Sequence, residues 1–452
     1  MWLIVLLALS ISFIVLATTR LKLHPFLALL LTAFGFGILS GMPLKQVVDS
    51  VNQGFGGTIG YIGIVILAGA LIGAFLEKSG GAYRLATSIL KLTGQRQVPL
   101  AMAGMGYIVS IPVFCDSAFV LLSPLMRALA SKAGITLAAA AVALSLGLYA
   151  THTMVPPTPG PVAAAGILGA DLGLVILWGL AVALVALVAG WLFAVLVASR
   201  TYIAPDAPQR AANAAAAAPA LVPEAEAPSV FRSLLPIFLP IVMIVGRSIG
   251  ELPSKPFGEG GALLDLLGFM GQPVVALLIG VGLAMTLPKR FDREMLSMQG
   301  WVGQAIVGAA TIIIITGAGG AFGKVLQNSG IADLIGSALT GSNLGVWLPF
   351  IIAAGIKTAQ GSSTVAIITT AGLIAPLLAS LGLDGDTQRA LVVVAIGAGA
   401  MVVSHANDSY FWVVTQFSGM DVKTGYRLQT LGTLVQGTTA ALAVWLVTRF
   451  AL

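Results

Sequence analysis

Five ionisable side chains, Asp116, His152, Lys357, His405 and Asp408, stand inside long apolar runs, where a charge facing lipid is costly. Each marks a place where Pro, Gly or hydroxyl residues interrupt the run, and the interruptions form two pairs. One pair is Ser110-Ile-Pro-Val-Phe-Cys-Asp116-Ser117 with Lys357-Thr-Ala-Gln-Gly-Ser-Ser-Thr364. The other is Thr151-His152-Thr-Met-Val-Pro-Pro-Thr-Pro-Gly160-Pro with Ser404-His405-Ala-Asn407-Asp408-Ser409. Unwinding a helix frees N–H groups at a half-helix N-terminus, where the dipole favours an anion. Lys357 adds a full positive charge for a carboxylate, while Thr158, Ser362, Ser363, Thr364 and Asn407 offer hydrogen bonds to hydroxyls of a bound acid. Asp116, His152, His405 and Asp408 are titratable groups of the kind that line proton or ion pathways. Asp116, Asp408 and His152 are the candidates for proton coupling, Asp116 first. Na⁺ stays open as the coupling ion, because hairpin carbonyls and Ser, Thr and Asn oxygens bind it as well.

Each residue also has a structural reading. Asp116 and Asp408 suit helix N-caps, either histidine can brace a carbonyl, and Lys357 can reach the surface along its own stem. The run Gly317-Ala-Gly-Gly-Ala-Phe-Gly323 looks like a phosphate loop, but it has no Lys-Ser/Thr ending and no preceding strand. Close helix packing accounts for it better. No metal-ligand spacing, cofactor motif or nucleophile–base pair is present, which argues against an enzyme and for no cofactor. A channel fits less well than a secondary transporter, because paired hairpins suit alternating access.

The elements that must position these groups follow from hydropathy. Of the 452 residues, 58% are hydrophobic and 9% charged, too few charges to coat a soluble protein of this size. The net charge of +6 does not imply nucleic acid, since the basic residues sit in short loops between apolar runs. With one cysteine, Cys115, no disulfide can form within the chain. The opening stretch Trp2–Ala17 lacks a basic leader and is followed by Arg20 and Lys22, so it is read as a first span. Further spans are predicted near 24–41, 58–76, 173–197, 231–250, 271–287, 300–323 and 428–448. The interrupted runs 98–131 and 344–382 are predicted to be re-entrant hairpins, each with arms too short to span alone. Runs 136–168 and 388–418 are predicted to be helices unwound midway.

Residues 201–230, rich in Ala and Pro, form a predicted linker between an N-terminal half, 1–200, and a C-terminal half, 231–452. At an offset of 250, Gly69, Gly73, Leu76, Ser79, Gly80 and Ala82 fall on Gly319, Gly323, Leu326, Ser329, Gly330 and Ala332. Pro124–Leu125 likewise answers Pro376–Leu377, Thr151–His152 answers Ser404–His405, and Gly169-Ala-Asp171 answers Gly419-Met-Asp421. The common order points to a duplication. Lys78, Arg84, Lys91 and Arg96 flank the first Ser-Gly, whereas the equivalent region holds only Lys324, so the halves are predicted to be inverted. Placing both termini outside puts the linker and most of the 23 Lys and Arg in the cytoplasm. The predicted fold is an all-α polytopic membrane protein of two inverted repeats, with about ten spans and two hairpins.

At the broken segments the sequence resembles the gluconate permease (GntP) family of the ion-transporter superfamily, essentially end to end. The specific parts are Gly69–Gly81, Ile111–Leu122, Val155-Pro-Pro-Thr-Pro-Gly-Pro161, Gly361–Ile367 and Ser404-His-Ala-Asn-Asp408 with Phe411–Trp412. The resemblance implies proton-coupled symport of gluconate or a similar acid across a bacterial inner membrane. It also implies a homodimer with elevator motion, and a binding region of Asp116, His152, Thr158, Ser362, Ser363, Thr364, His405, Asn407 and Asp408. Family members typically carry His where this chain has Thr158 and Glu where it has Asp116. They often have a Lys-Glu pair where it has Val413-Val-Thr-Gln416. Glycerate and D-serine are therefore competing substrates.

Overall fold

The computed structural model describes residues 2–93, 97–205, 227–251, 257, 260–331, 344–406 and 408–450. The middle of the linker, Asn407 and Ala332 lie outside them. Among the described residues all regular structure is helical. In chain order the helices are α1 (Trp2–Thr19), α2 (Pro25–Leu39), α3 (Leu44–Lys78), α4 (Gly81–Thr93), α5 (Val98–Val109) and α6 (Cys115–Ala133). Then come α7 (Leu137–Met154), α8 (Pro159–Leu168), α9 (Leu172–Leu196), α10 (Val230–Gly250), α11 (Ala262–Met270) and α12 (Pro273–Ala284). The last are α13 (Trp301–Asn328), α14 (Trp347–Gln360), α15 (Ser363–Ile374), α16 (Asp386–Gly399), α17 (Ser409–Ser418) and α18 (Val422–Phe450). By length and composition five stretches of helix suit a membrane crossing, or seven if each bent pair counts as one span. Several other apolar helices are shorter, α5, α14 and α15 among them.

The interruptions fall where the residue types place them. α5 and α6 turn on residues 110–114 and pack on each other, as α14 and α15 do around Gly361–Ser362. α7 stops at Met154 and α8 starts at Pro159, and α16 stops at Gly399 with α17 starting at Ser409. The arms differ from expectation in one respect: α6 has 19 residues, close to a full span. It runs past Pro124 and through Arg127–Lys132 until Gly134 takes a left-handed φ of +65°.

The core is the pair of broken helices. Every residue of α7 is buried, as is the length of α16 from Ala390 to Gly399. These helices touch protein on all sides, which lets them carry polar residues and irregular backbone at depth. The backbone freed at 400–408 is satisfied by α18, whose Thr430 hydroxyl donates to the Ser404 carbonyl at 2.6 Å. The Ser404 amide donates in turn to the Thr433 hydroxyl at 3.1 Å. The donor Thr430 lies in a π-helical turn, Tyr426–Thr430.

α3 is longer than the 58–76 stretch that hydropathy picks out. Its first half carries Lys45, Gln46, Asp49, Asn52 and Gln53, with Val47, Ser50 and Val51 buried as a narrow inner stripe. It bends by 41° between Leu44–Tyr61 and Gly63–Lys78 and packs along α13. A Cβ on Gly54 would come within 2.4 Å of the Gly320 carbonyl, so the two backbones touch at a distance only glycine permits. The glycine run 317–323 is thus helix packing, as its sequence context indicates.

The described ends of the linker belong to the helical body. The Thr136 hydroxyl donates to the Thr201 carbonyl at 2.7 Å and accepts from the Ile203 amide at 2.9 Å. Ser229 caps α10, its hydroxyl accepting from the Arg232 amide.

Candidate functional site

Three helices begin at one place. Cys115 opens α6, Ser363 opens α15 and Ser409 opens α17, and all three residues line a cavity of about 240 Å³. Asp116, Tyr149, His152, Gly361, Ser362, Thr364, Asp408 and Tyr410 complete its wall. Both hairpin tips and both broken helices therefore contribute. Each helix start has its own local cause. Gly361 ends α14 at φ +90°, a conformation that L side chains rarely adopt. The Ser362 hydroxyl then accepts from the Val365 amide at 3.3 Å as the N-cap of α15. Asp408 caps α17, its Oδ1 accepting from the Tyr410 amide at 3.1 Å. α6 has Phe114 at its N-cap and no side-chain cap, so Asp116 lies in the first turn and is not a cap.

One carboxylate is neutralised inside the protein. Lys357 is wholly buried, 0% exposed, with its Nζ 2.6 Å from Asp408 Oδ2. The same ammonium donates to the Gly361 carbonyl. Asp408 Oδ2 also accepts from the Ser404 hydroxyl at 2.5 Å and from the Tyr149 hydroxyl at 3.4 Å. Tyr149 shares a further hydrogen bond of 2.5 Å with the Ser363 hydroxyl, and Tyr410 donates to the Ser145 carbonyl at 3.0 Å. Asp116 has no such cation. Its side-chain neighbour is the Cys115 thiol, which donates to Oδ2 at 3.7 Å, and it forms no ion pair among the described residues. His152 lies between Phe114 and Tyr149, with ring centroids 5.9 and 6.5 Å away, and its Nδ1 is buried without a hydrogen-bond partner.

Of the predicted site residues, the cavity wall brings together Asp116, His152, Ser362, Ser363, Thr364 and Asp408. Lys357 stands behind the wall on Asp408 and neither snorkels nor faces the cavity. Thr158 turns its hydroxyl to the Val155 carbonyl at 2.5 Å. His405 braces the Thr358 carbonyl through Nε2 at 2.8 Å and stacks near Tyr426. His405 thus takes its structural alternative, and both residues stand away from the wall. Asn407 lies outside the described residues. Sequence reasoning missed Tyr149, Ser409 and Tyr410. The available signal for Tyr149 was its position three residues before His152, on one face of α7. No group of three or more His, Cys, Asp or Glu suited to a metal occurs among the described residues.

A second cavity, about 670 Å³, lies between α3, α13 and the ends of α8 and α15. Lys324 and Arg389 are on its wall, and none of the predicted site residues is.

Comparison with known proteins gives the family. The chain matches the GntP family permease profile over residues 2–450. It is 35% identical over 420 residues to a gluconate permease of Pseudomonas aeruginosa, covering 91% of this chain and 90% of that one. It is 33% identical to the high-affinity gluconate transporter of Escherichia coli, with 95% and 96% covered. It is 32% identical to the Gnt-II system L-idonate transporter of the same organism, with 95% of each covered. Among solved structures, the YdaH transporter of Alcanivorax borkumensis, described as having an unusual topology, superposes with a TM-score of 0.65 at 14% identity. That alignment covers 95% of this chain and 99% of the other, a likeness of fold alone. A whole-length profile match together with relatives above 30% identity settles the class: this chain is a multi-pass membrane transporter, not an enzyme, and it belongs to the GntP family of permeases.

Proposed function

We propose that the chain carries gluconate, or a closely related hydroxy-carboxylate, inward across the bacterial inner membrane together with protons. The observation that supports this most directly is the convergence on one cavity of three helix N-termini, six hydroxyl-bearing residues and one carboxyl without a cation. Helix N-termini attract a carboxylate, and the hydroxyls of Tyr149, Ser362, Ser363, Thr364, Ser409 and Tyr410 match a polyol chain. Drug-sized ligands occupy roughly 300–1,000 Å³, so a cavity of about 240 Å³ suits a smaller acid. Glycerate and D-serine form the second reading. The departures at Asp116 and Thr158 from gluconate-type members are what keep it open.

Charge gives the coupling. Asp408 is compensated by Lys357, which leaves Asp116 facing the incoming anion. Two unit charges about 5 Å apart repel by about 3 kcal/mol at an effective dielectric of about 20, on the order of a hundredfold in affinity. A proton on Asp116 removes that repulsion, so substrate and proton bind together and affinity rises as pH falls. In proteoliposomes the wild type should concentrate gluconate when the outside is made acidic. Asp116→Asn should keep counterflow but lose accumulation, with binding no longer tightening at low pH. Continued accumulation by the variant on a pH gradient alone would refute the coupling. Absence of counterflow with gluconate, L-idonate, glycerate and D-serine would refute the substrate class.

The same reading includes two inverted repeats, re-entrant hairpins and elevator motion. Mirrored packing supports it: α5 lies on α7 as α14 lies on α16, α6 meets α17 as α15 meets α8, and α2 meets α13 as α12 meets α3. α3 and α13, which answer each other at the 250-residue offset, form the frame between the halves. A homodimer is part of the proposal, and native mass spectrometry from lipid measures it.

A further inference from the structure

In transporters built on broken helices, unwound carbonyls and half-helix C-termini are where a coupling cation is held. Here that position is made by oxygens of three chain segments. The Gly361 carbonyl lies at the C-terminal end of α14, and Asp408 Oδ2 lies at the break before α17, with the Ser404 and Tyr149 hydroxyls turned to the same carboxylate oxygen. A carbonyl, a carboxylate and two hydroxyls are oxygen donors of the kind that hard cations take. The position is filled from within. Lys357, one turn before the helix end, places its ammonium between Gly361 O and Asp408 Oδ2, and the whole side chain is buried. An ammonium has three donors and no acceptor, so it satisfies the Gly361 carbonyl and the Asp408 carboxylate as an alkali cation would.

We infer that Lys357 is a tethered substitute for a coupling cation: the protein carries its own monovalent charge at the second break, and removing that side chain uncovers a sodium site. The consequence for transport rests on the symport reading above. The Lys357 charge travels with the protein and cannot be released, so it contributes nothing to the ion gradient. Coupling falls to the carboxyl that has no cation beside it among the described residues, Asp116. The latent sodium site itself depends only on the local geometry.

The experiment compares three proteins in full-length form, each purified in sodium chloride and in choline chloride at equal ionic strength. They are the wild type, Lys357→Ala and the double variant Lys357→Ala/Asp408→Asn. The readout is melting temperature without substrate. The wild type should melt alike in both salts. Lys357→Ala leaves a buried carboxylate unpaired, which is strongly destabilising, and it should recover stability with sodium in a saturable manner, as a ligand bound to the folded state does. The double variant, with both charges removed, should fold and show no sodium response. Three outcomes would overturn the inference: indifference of Lys357→Ala to sodium, an equal sodium response in the wild type, or failure of Lys357→Ala to fold in either salt while the double variant folds. Since no substrate is present, an error in the substrate assignment leaves this result intact.

Discussion

Ser363 and Thr364 are the side chains at which the proposed site can be tested one hydroxyl at a time. Ser363 is the first residue of α15, and its hydroxyl is already engaged with Tyr149 at 2.5 Å. It therefore stands pre-oriented, able to bond the substrate without first being ordered. Removing a hydrogen bond to a charged ligand costs about 1.5–3 kcal/mol, about 10- to 150-fold in affinity. Ser363→Ala and Thr364→Ala should weaken gluconate binding by that order in titration calorimetry, with insertion unchanged. Ser12→Ala is the control, because that hydroxyl is exposed on α1 and turned to the Ala8 carbonyl. Unaltered affinity in both cavity variants would remove the hairpin tip from the site. Lys357 teaches the complementary lesson at this scale. A basic residue in an anion transporter is easily assigned to the substrate, yet its charge here is used on Asp408.

Among the elements, α3 carries the contacts with the first hairpin tip and the first break. A Cβ on Gly73 would lie 2.3 Å from the Pro112 carbonyl at the first hairpin tip, and one on Gly69 would lie 2.8 Å from the Pro157 carbonyl at the first break. Their counterparts at the 250-residue offset, Gly319 and Gly323, meet Ile368 and Gly372 on α15. The glycines that match at the 250-residue offset are thus the ones that let both hairpins approach the α3–α13 frame. Overpacking such a contact costs about 1–3 kcal/mol. Gly73→Ala should lower the melting temperature and reduce uptake, whereas Gly56→Ala, with nothing within 4 Å of its Cβ, should change neither. Equal behaviour of the two variants in a thermal melt and an uptake assay would show that the tip does not bear on α3.

For the whole molecule, the proposed orientation rests on charge. Lys and Arg cluster at 20–22, 78–96, 127–132, 200–232, 289–293 and 423–427. By the positive-inside tendency all of these are expected in the cytoplasm, with both termini in the periplasm. Cysteines introduced at linker positions 210–220 should react with an impermeant maleimide only after the cells are opened, and cysteines at either terminus should react in intact spheroplasts. Labelling of the linker from the periplasm would reverse the assignment.

The sequence by itself determined the helices, the four interruptions and the residue types gathered at them. Those are local properties: apolar length fixes a span, and Pro, Gly and hydroxyl residues at depth end one. It also disclosed the glycine pairs, because an offset of 250 can be counted along the chain. Two local readings went astray: the polar first half of α3 hid its start, and apolar length underestimated α6, which continues through Arg127–Lys132. What tertiary structure decided is which interruptions meet and which polar groups face the cavity. Lys357 and Asp408 are 51 positions apart, and Tyr149 and Ser363 are 214 apart, so no periodicity or spacing pairs them. Thr158 and His405 have the right types at the right breaks and still turn to backbone carbonyls, because an unwound segment has its own polar groups to satisfy. Side-chain direction at a break depends on what packs across it, and that is settled only when the two halves close on each other.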